Sequence, residues 1–372
     1  MSLKTVADSP FPESVARVRA ALGDGAPRLA PALERLDWAM VLPSGAAPGF
    51  VYLAGACGGR AVGGGGVDLA EAAGRLAGEA SEVLAQDQPV AHAKAPPHPA
   101  LAAQWGDGPT MRATSLTFGR SVGAPLAAVF PTISAPDAAP PRSLGLAAGP
   151  DVAAARLAGL LELIERDAAA AWWNGSSRAR ALDVADIMAD IADAAIDLAG
   201  LRTGAAPPER LTTLLALPAV GDVPVICALS RDAGGRGLAF GLKAALEPHA
   251  AMRGALCELL QMEIALEIAR MRETQRRLTQ GDAGPLARAA LDPDAFEAFS
   301  PLPPVGRGPH LADLDALTAH LGKLGVEVIV ADLIGLDGGL AVAKAFAPRL
   351  LPLPGPGPAP RPDAPGAWAA LM

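Results

Sequence analysis

Between Val152 and Trp173 apolar residues recur at Val152, Ala155, Leu160, Ile164 and Ala168, steps that a helix places on a common side. Leu161 and Leu163 extend the apolar surface nearly all round, which predicts a buried helix. Glu162 and Glu165 interrupt this pattern. A carboxylate in such surroundings is costly unless it is paired, hydrogen-bonded or metal-bound. The i, i+3 spacing aims both acids at one volume, while Glu162 and Arg166, at i, i+4, also suit a helical ion pair.

The same reading along the chain predicts one or two helices over 12–38, then two short strands between Trp38 and Cys57 around a turn at Ser44–Pro48. Residues 58–66, GGRAVGGGG, read as a flexible turn or a loop whose backbone approaches a ligand. Asp68 is a plausible N-cap for a helix reaching about Ala85, which carries Glu79 and Glu82. Residues 86–108 read as a loop, with His92 and His98 solvated, and 111–133 as two strands around Gly119–Gly123. A loop over 134–142 and a Gly/Ala-rich loop from Ser143 lead into the central helix. Helix is predicted again over 181–204, a hairpin over 224–232 and 236–244, and a long helix over 249–279 carrying Glu258 and Gln261. Residues 310–348 read as helix, strand, loop, strand. The tail that follows is too rich in Pro and Gly for an ordinary helix or central strand.

Three predicted helices thus each carry a pair at i, i+3: Glu79/Glu82, Glu162/Glu165 and Glu258/Gln261. Taken alone, each pair is more often a solvated helix face. If the pairs converge, their repulsion demands divalent cations. Magnesium suits oxygen ligands and binds through carboxylates together with substrate phosphates. No GxxxxGK[ST] is present, so such a phosphate site is not a P-loop.

Composition narrows the class. The chain has 372 residues, three widely spaced cysteines and a net charge of −8. The odd cysteine count argues against a disulfide framework and for a reducing, cytoplasmic compartment. Scattered basic residues argue against nucleic acid, and no apolar run long enough for a membrane span or a signal peptide is present.

The stretch SLGLAAGPDVAAARLAGLLELIERDAAAAWW, residues 143–173, resembles the central signature of the YcaO family, Ser-x-Gly-x-Ala-x-Gly followed by a helix ending Glu-x-x-Glu-Arg-Asp. GEASEVLA (78–85) and ALCELLQ (255–261) resemble the family's earlier Glu-x-x-Glu and later Glu-x-x-Gln helices. The resemblance implies an α+β fold of YcaO type, with mixed sheets and surrounding helices around a MgATP site. It implies an N-terminal helical extension over 1–35, a YcaO domain over 36–352 and a Pro-rich tail over 353–372. It implies that Glu79, Glu82, Glu162, Glu165, Glu258 and Gln261 hold ATP, the first four also holding Mg2+.

Members of the family phosphorylate a backbone amide oxygen of a ribosomally made peptide. Attack by a Cys, Ser or Thr side chain then gives an azoline, and attack by sulfide gives a thioamide. Azoline formation is the expectation here, thioamide formation the alternative, and a non-catalytic scaffold of the same fold the competitor. The departures bear on that competitor: Gly63–Gly66 carries no lysine, and Arg75 and Val83 stand at positions where the family often has Ser or Thr and Arg. Arg75 reads as a surface charge rather than a phosphate contact. Azoline-forming members end in a Pro-x-Pro-x-Pro tail, which Pro352, Pro354, Pro356, Pro358 and Pro360 match. On this resemblance Pro356 and Pro358 are the candidate catalytic positions. With little chain before residue 36, the precursor peptide is expected to be delivered by a leader-binding partner protein, or joined by a sulfur-delivering partner in the thioamide case. A homodimer is compatible with the apolar helices.

Overall fold

The glycine run is where structure and pattern first part. The computed structural model describes residues 27–350 except 89–91, 94, 137–141, 183–196, 207–208, 293, 295–298 and 305–310, and within it Arg60–Gly66 is a strand, not a loop. A short helix, α1 (Ala30–Leu33), precedes β1 (Leu36–Leu42), β2 (Val51–Cys57) and β3 (Arg60–Gly66), which form an antiparallel sheet in that order. The helix expected over 12–38 therefore survives among the described residues only as α1, and Leu36 already pairs with Cys57. Glycines suit β3 because α2 (Leu69–Ala85) lies directly on it: a Cβ at Gly64 would strike Ala72 O and Leu76 N. Asp68 caps α2 as expected, accepting from Glu71 N at 2.8 Å.

The stretch expected as a loop over 86–108 contains α3 (Pro99–Trp105), with its proline at the first helical position. The hairpin β4 (Thr110–Ser115) and β5 (Arg120–Pro125) follows, and β5 starts inside the expected Gly119–Gly123 turn and stops at Pro125 instead of running to Ile133. The Ser143 loop ends in a strand, β6 (Leu146–Gly149), which leads into the predicted central helix α4 (Val152–Trp173). Next come β7 (Arg180–Ala181), α5 (Leu198–Leu201), β8 (Arg210–Leu217), β9 (Val225–Asp232) and β10 (Ala239–Ala244). Of the helix expected over 181–204 only α5 lies in the described residues, and β8 had not been expected. The chain continues with α6 (Pro248–Thr274), α7 (Ala283–Ala289), α8 (Leu314–Lys323), β11 (Ile329–Leu333) and β12 (Ala341–Phe346). The Pro-rich tail, with Pro356 and Pro358, lies outside the described residues.

Among the described residues three sheets result, ordered β1-β2-β3, β10-β9-β8-β7 and β5-β4-β11-β12-β6. All pairs of named strands are antiparallel, and parallel pairing enters through the isolated bridges Pro97–Gly123 and Arg180–Leu302. The expected α+β fold is thus present. β3, β6 and β10 each stand at the end of a sheet, and each is followed directly by a long helix: α2, α4 and α6. Close strand–helix approach recurs at all three. A Cβ at Gly149 would lie 2.6 Å from Ala155 N, and one at Gly241 would strike the α6 backbone. Leu160, Ile164, Trp172 and Trp173 of α4 are buried with Cys227, Phe240 and Ala345 in the central core, as the apolar pattern predicts. No helix among the described residues is long and apolar enough to cross a membrane.

Candidate functional site

An end strand leaves backbone N–H groups without a partner in its own sheet. Here the helix acids supply that partner. Glu79 accepts from Gly63 N of β3 at 2.6 Å, Glu162 from Gly145 N just before β6 at 2.9 Å, and Glu258 from Leu242 N of β10 at 3.1 Å. Each of these acids reaches back to the strand or turn preceding its own helix, across 16, 17 and 16 residues. The second member of each pair reaches forward to the next sheet. Glu82 accepts from Ala148 N of β6 at 3.1 Å, and Glu165 from Ala244 N of β10 at 3.0 Å. Gln261 closes the cycle by packing on β3: its Cγ and Nε2 lie 2.8 Å from where a Gly65 Cβ would stand. The i, i+3 spacing therefore has a structural cause. α2 bridges β3 to β6, α4 bridges β6 to β10, and α6 bridges β10 to β3.

This cycle brings the acids together. Burial raises the Glu82 carboxyl to about 8, with the nearby Glu162 and Glu79 carboxylates adding to the rise. Burial likewise raises Glu258 to about 7, and Glu165 adds to it. Glu162 is raised by burial and Glu165, against the pull of Arg166, and Glu79 is raised by burial. The five carboxylates thus form one electrostatically continuous run, Glu79–Glu82–Glu162–Glu165–Glu258. Glu79 is exposed as a residue although its carboxyl is enclosed against Gly63, Glu82, Glu162 and Glu258 are half-buried, and Glu165 is buried.

Cations answer the five acids, among them one on each of α4, β10 and β12. Arg166 lies among Glu162, Glu165 and Glu258, with its Nη2 3.6 Å from Glu165 Oε1. Lys243 projects from β10 and offsets the rise at Glu82 and Glu258. Lys344 on β12 is wholly buried, and burial lowers its ammonium to about 7 against the support of Glu162 and Glu82. The pattern reading assigned no site role to these three. The available signal was a lysine inside an otherwise apolar strand, in GLKA and AVAKAF.

Each acid hydrogen-bonds the backbone through one carboxylate oxygen and leaves the other free of backbone partners. Such an all-oxygen donor set, rich in negative charge, fits magnesium. Among the described residues no three His, Cys, Asp or Glu side chains converge closely enough to hold a metal by themselves. A metal here would therefore draw the rest of its ligands from water and phosphate.

The departures around α2 have local explanations. A side chain at Gly65 would strike Phe50 and Gln261, and one at Gly66 would strike Glu71 and the α2 backbone, so this strand has no room for a lysine. Arg75 pairs with Glu71 of the same helix at 2.9 Å, and Glu71 also binds Arg253 at 2.8 Å, so Arg75 supports the acid that braces α2 against α6. The Val83 carbonyl accepts from Arg60 at 2.6 Å. His92 is exposed, but His98 is not solvated as expected: its Nε2 lies 3.2 Å from Glu327.

A sequence model of the ATP- and Mg2+-binding YcaO cyclodehydratases matches residues 67–351. No curated protein matches the chain in sequence. Among solved structures, a heterocyclase in complex with substrate and cofactor superposes with a TM-score of 0.66 at 18% identity, over 92% of this chain and 53% of that one. The chain thus spans about half the length of that heterocyclase. YcaO from Methanopyrus kandleri bound with AMPPCP and Mg2+ superposes with a TM-score of 0.62 at 18% identity, covering 92% of this chain and 91% of that one. The E. coli microcin synthetase McbBCD complex gives 0.59 at 15% identity, covering 84% and 87%. At these identities the likeness is one of fold.

Proposed function

The chain belongs to the YcaO family, and from that premise we propose that it uses MgATP to activate a backbone amide of a ribosomally made peptide and close azoline rings at Cys, Ser or Thr. The observation that carries this reading is the continuous run of five carboxylates on three helices, each held by a backbone N–H on a sheet edge. Phosphoryl transfer needs mainly positioning and charge neutralisation, and the run offers fixed oxygen ligands for both.

In this reading Glu79, Glu82, Glu162 and Glu165 hold magnesium, while Glu258 and Gln261 complete the nucleotide cradle. ATP supplies the phosphoryl group that makes the amide oxygen a leaving group. The chain's own work is to aim its acids and to ease their deprotonation when magnesium binds: the backbone N–H groups favour the charged form and Arg166 and Lys243 limit the repulsion, against a burial that favours the protonated form. The precursor peptide is delivered by a leader-binding partner protein, a role supported by the McbBCD neighbour being a multi-protein complex.

The test has two stages. MgATP at millimolar concentration raises the Tm of the purified chain by mass action, and no shift would remove the enzyme reading. Mass spectrometry of a co-expressed precursor then shows loss of one water per ring. Exchange of oxygen for sulfur would instead assign thioamide formation, with a sulfur-delivering partner.

A further inference from the structure

Lys344 is 1% exposed on a strand whose neighbours are apolar. Its Nζ donates to the carbonyl oxygens of Arg142, at 2.7 Å, and Leu144, and it lies over the rings of Trp105 and Phe346 at 5.8 and 5.5 Å. An apolar side chain of similar length would cover those rings as well, without the desolvation cost of an amine. Besides its charge near Glu162 and Glu82, the amine supplies a hold on the turn preceding β6 that no apolar side chain could give. The two carbonyls it binds flank Ser143, and the next backbone N–H, that of Gly145, is the one Glu162 accepts. Gly145 has φ +76°, and a Cβ there would crowd Leu163 at 3.2 Å. Its carbonyl accepts from Ala345 N at 2.7 Å. β12 therefore grips the turn twice, by the Lys344 side chain on one side of Gly145 and by the Ala345 backbone at Gly145 itself.

We propose that Lys344 is a positioning residue of the acid run: it locks the Arg142–Gly145 turn so that the Gly145 N–H fixes the Glu162 carboxylate for magnesium and the nucleotide. The proposal rests on the MgATP reading above. It predicts a defect in binding that global stability does not explain. Lys344→Met removes the amine and keeps the length, and Leu317→Ala, in the core on α8 and outside both β12 and β6, serves as a control that loses packing alone.

Two quantities are measured on each variant: MgATP affinity by calorimetry, and hydrogen exchange of the peptide spanning residues 142–149 without nucleotide. Lys344→Met is expected to weaken MgATP about tenfold, a loss comparable to one charge-assisted hydrogen bond, and to speed exchange in that peptide. Leu317→Ala is expected to lower Tm with neither change. Equal affinity in Lys344→Met and wild type, or unchanged exchange in the turn, overturns the proposal. Lys344→Gln, which keeps a donor, stands in if the methionine variant does not fold. On the wild-type protein, MgATP is expected to slow exchange in the same peptide, and no slowing there, with a normal thermal shift, also overturns it. Absence of any MgATP shift in the wild type instead removes the underlying reading, while the nucleotide-free exchange comparison still judges the role of Lys344 in the turn.

Discussion

Glu82 on α2 accepts a hydrogen bond from the backbone N–H of Ala148 on β6 at 3.1 Å, across 66 residues of chain. This bond joins the first sheet's helix to the edge of the five-stranded sheet. It also places a half-buried carboxyl beside Glu162, so the join between two sheets and the gathering of the acids are one feature. A group with two such roles gives separable predictions for fold and for binding.

Stability of the protein without metal should fall as pH rises. Glu82 is raised from 4.5 to about 8 and Glu258 from 4.5 to about 7, so the folded state binds more protons than the unfolded state between these values. Their stabilising contribution is complete below about 4.5 and is lost as pH rises through 7 to 8. Lys344, lowered from 10.5 to about 7, acts in the opposite sense above pH 7, so pH 5 to 7 is the clean window. Tm measured across that window should decline, Glu82→Gln should flatten the decline, and millimolar Mg2+ should reverse it. A Tm that rises from pH 5 to 7 would refute the assignment.

Glu162→Gln and Glu162→Ala should behave differently. The amide keeps an oxygen to accept from Gly145 N but carries no charge, so Tm should stay near the wild-type value while the MgATP shift disappears. Alanine leaves that N–H without its acceptor and should cost a further ~1–3 kcal/mol in denaturant unfolding. Equal stability of the two variants would show that the bond contributes nothing to the fold.

Two glycines, Gly64 in β3 and Gly78 in α2, should respond in opposite directions. Gly64→Ala drives a methyl into the α2 backbone at Ala72 and Leu76 and should destabilise by about 1–3 kcal/mol. Gly78→Ala, inside α2 with nothing within 4 Å of its added Cβ, should stabilise by about 0.5–1 kcal/mol. Chemical denaturation of both variants checks the sign of each.

Truncation after Leu350 tests the tail, whose catalytic assignment to Pro356 and Pro358 remains a proposal. The shortened chain should retain the MgATP thermal shift and lose ring formation on a co-expressed precursor. Full ring formation by the truncated chain would release both prolines from any catalytic role.

The amino-acid sequence by itself determined the helices and their acids. Asp68 before a periodic stretch, the apolar steps around Glu162 and Glu165, and Pro248 opening a long helix are local signals, and α2, α4 and α6 follow them closely. Local signals failed where a residue's environment comes from distant chain. A run of four glycines has no side chains to show a period, and only pairing with β2, under the close approach of α2, makes Gly63–Gly66 a strand edge. Lys344 looks like an ordinary strand lysine until β12 is placed against the Arg142–Gly145 turn. The i, i+3 spacing was visible in each helix, but its reason was not. One acid serves the edge preceding its own helix and the other serves the next sheet's edge, a relation that exists only once three sheets have been brought edge to edge.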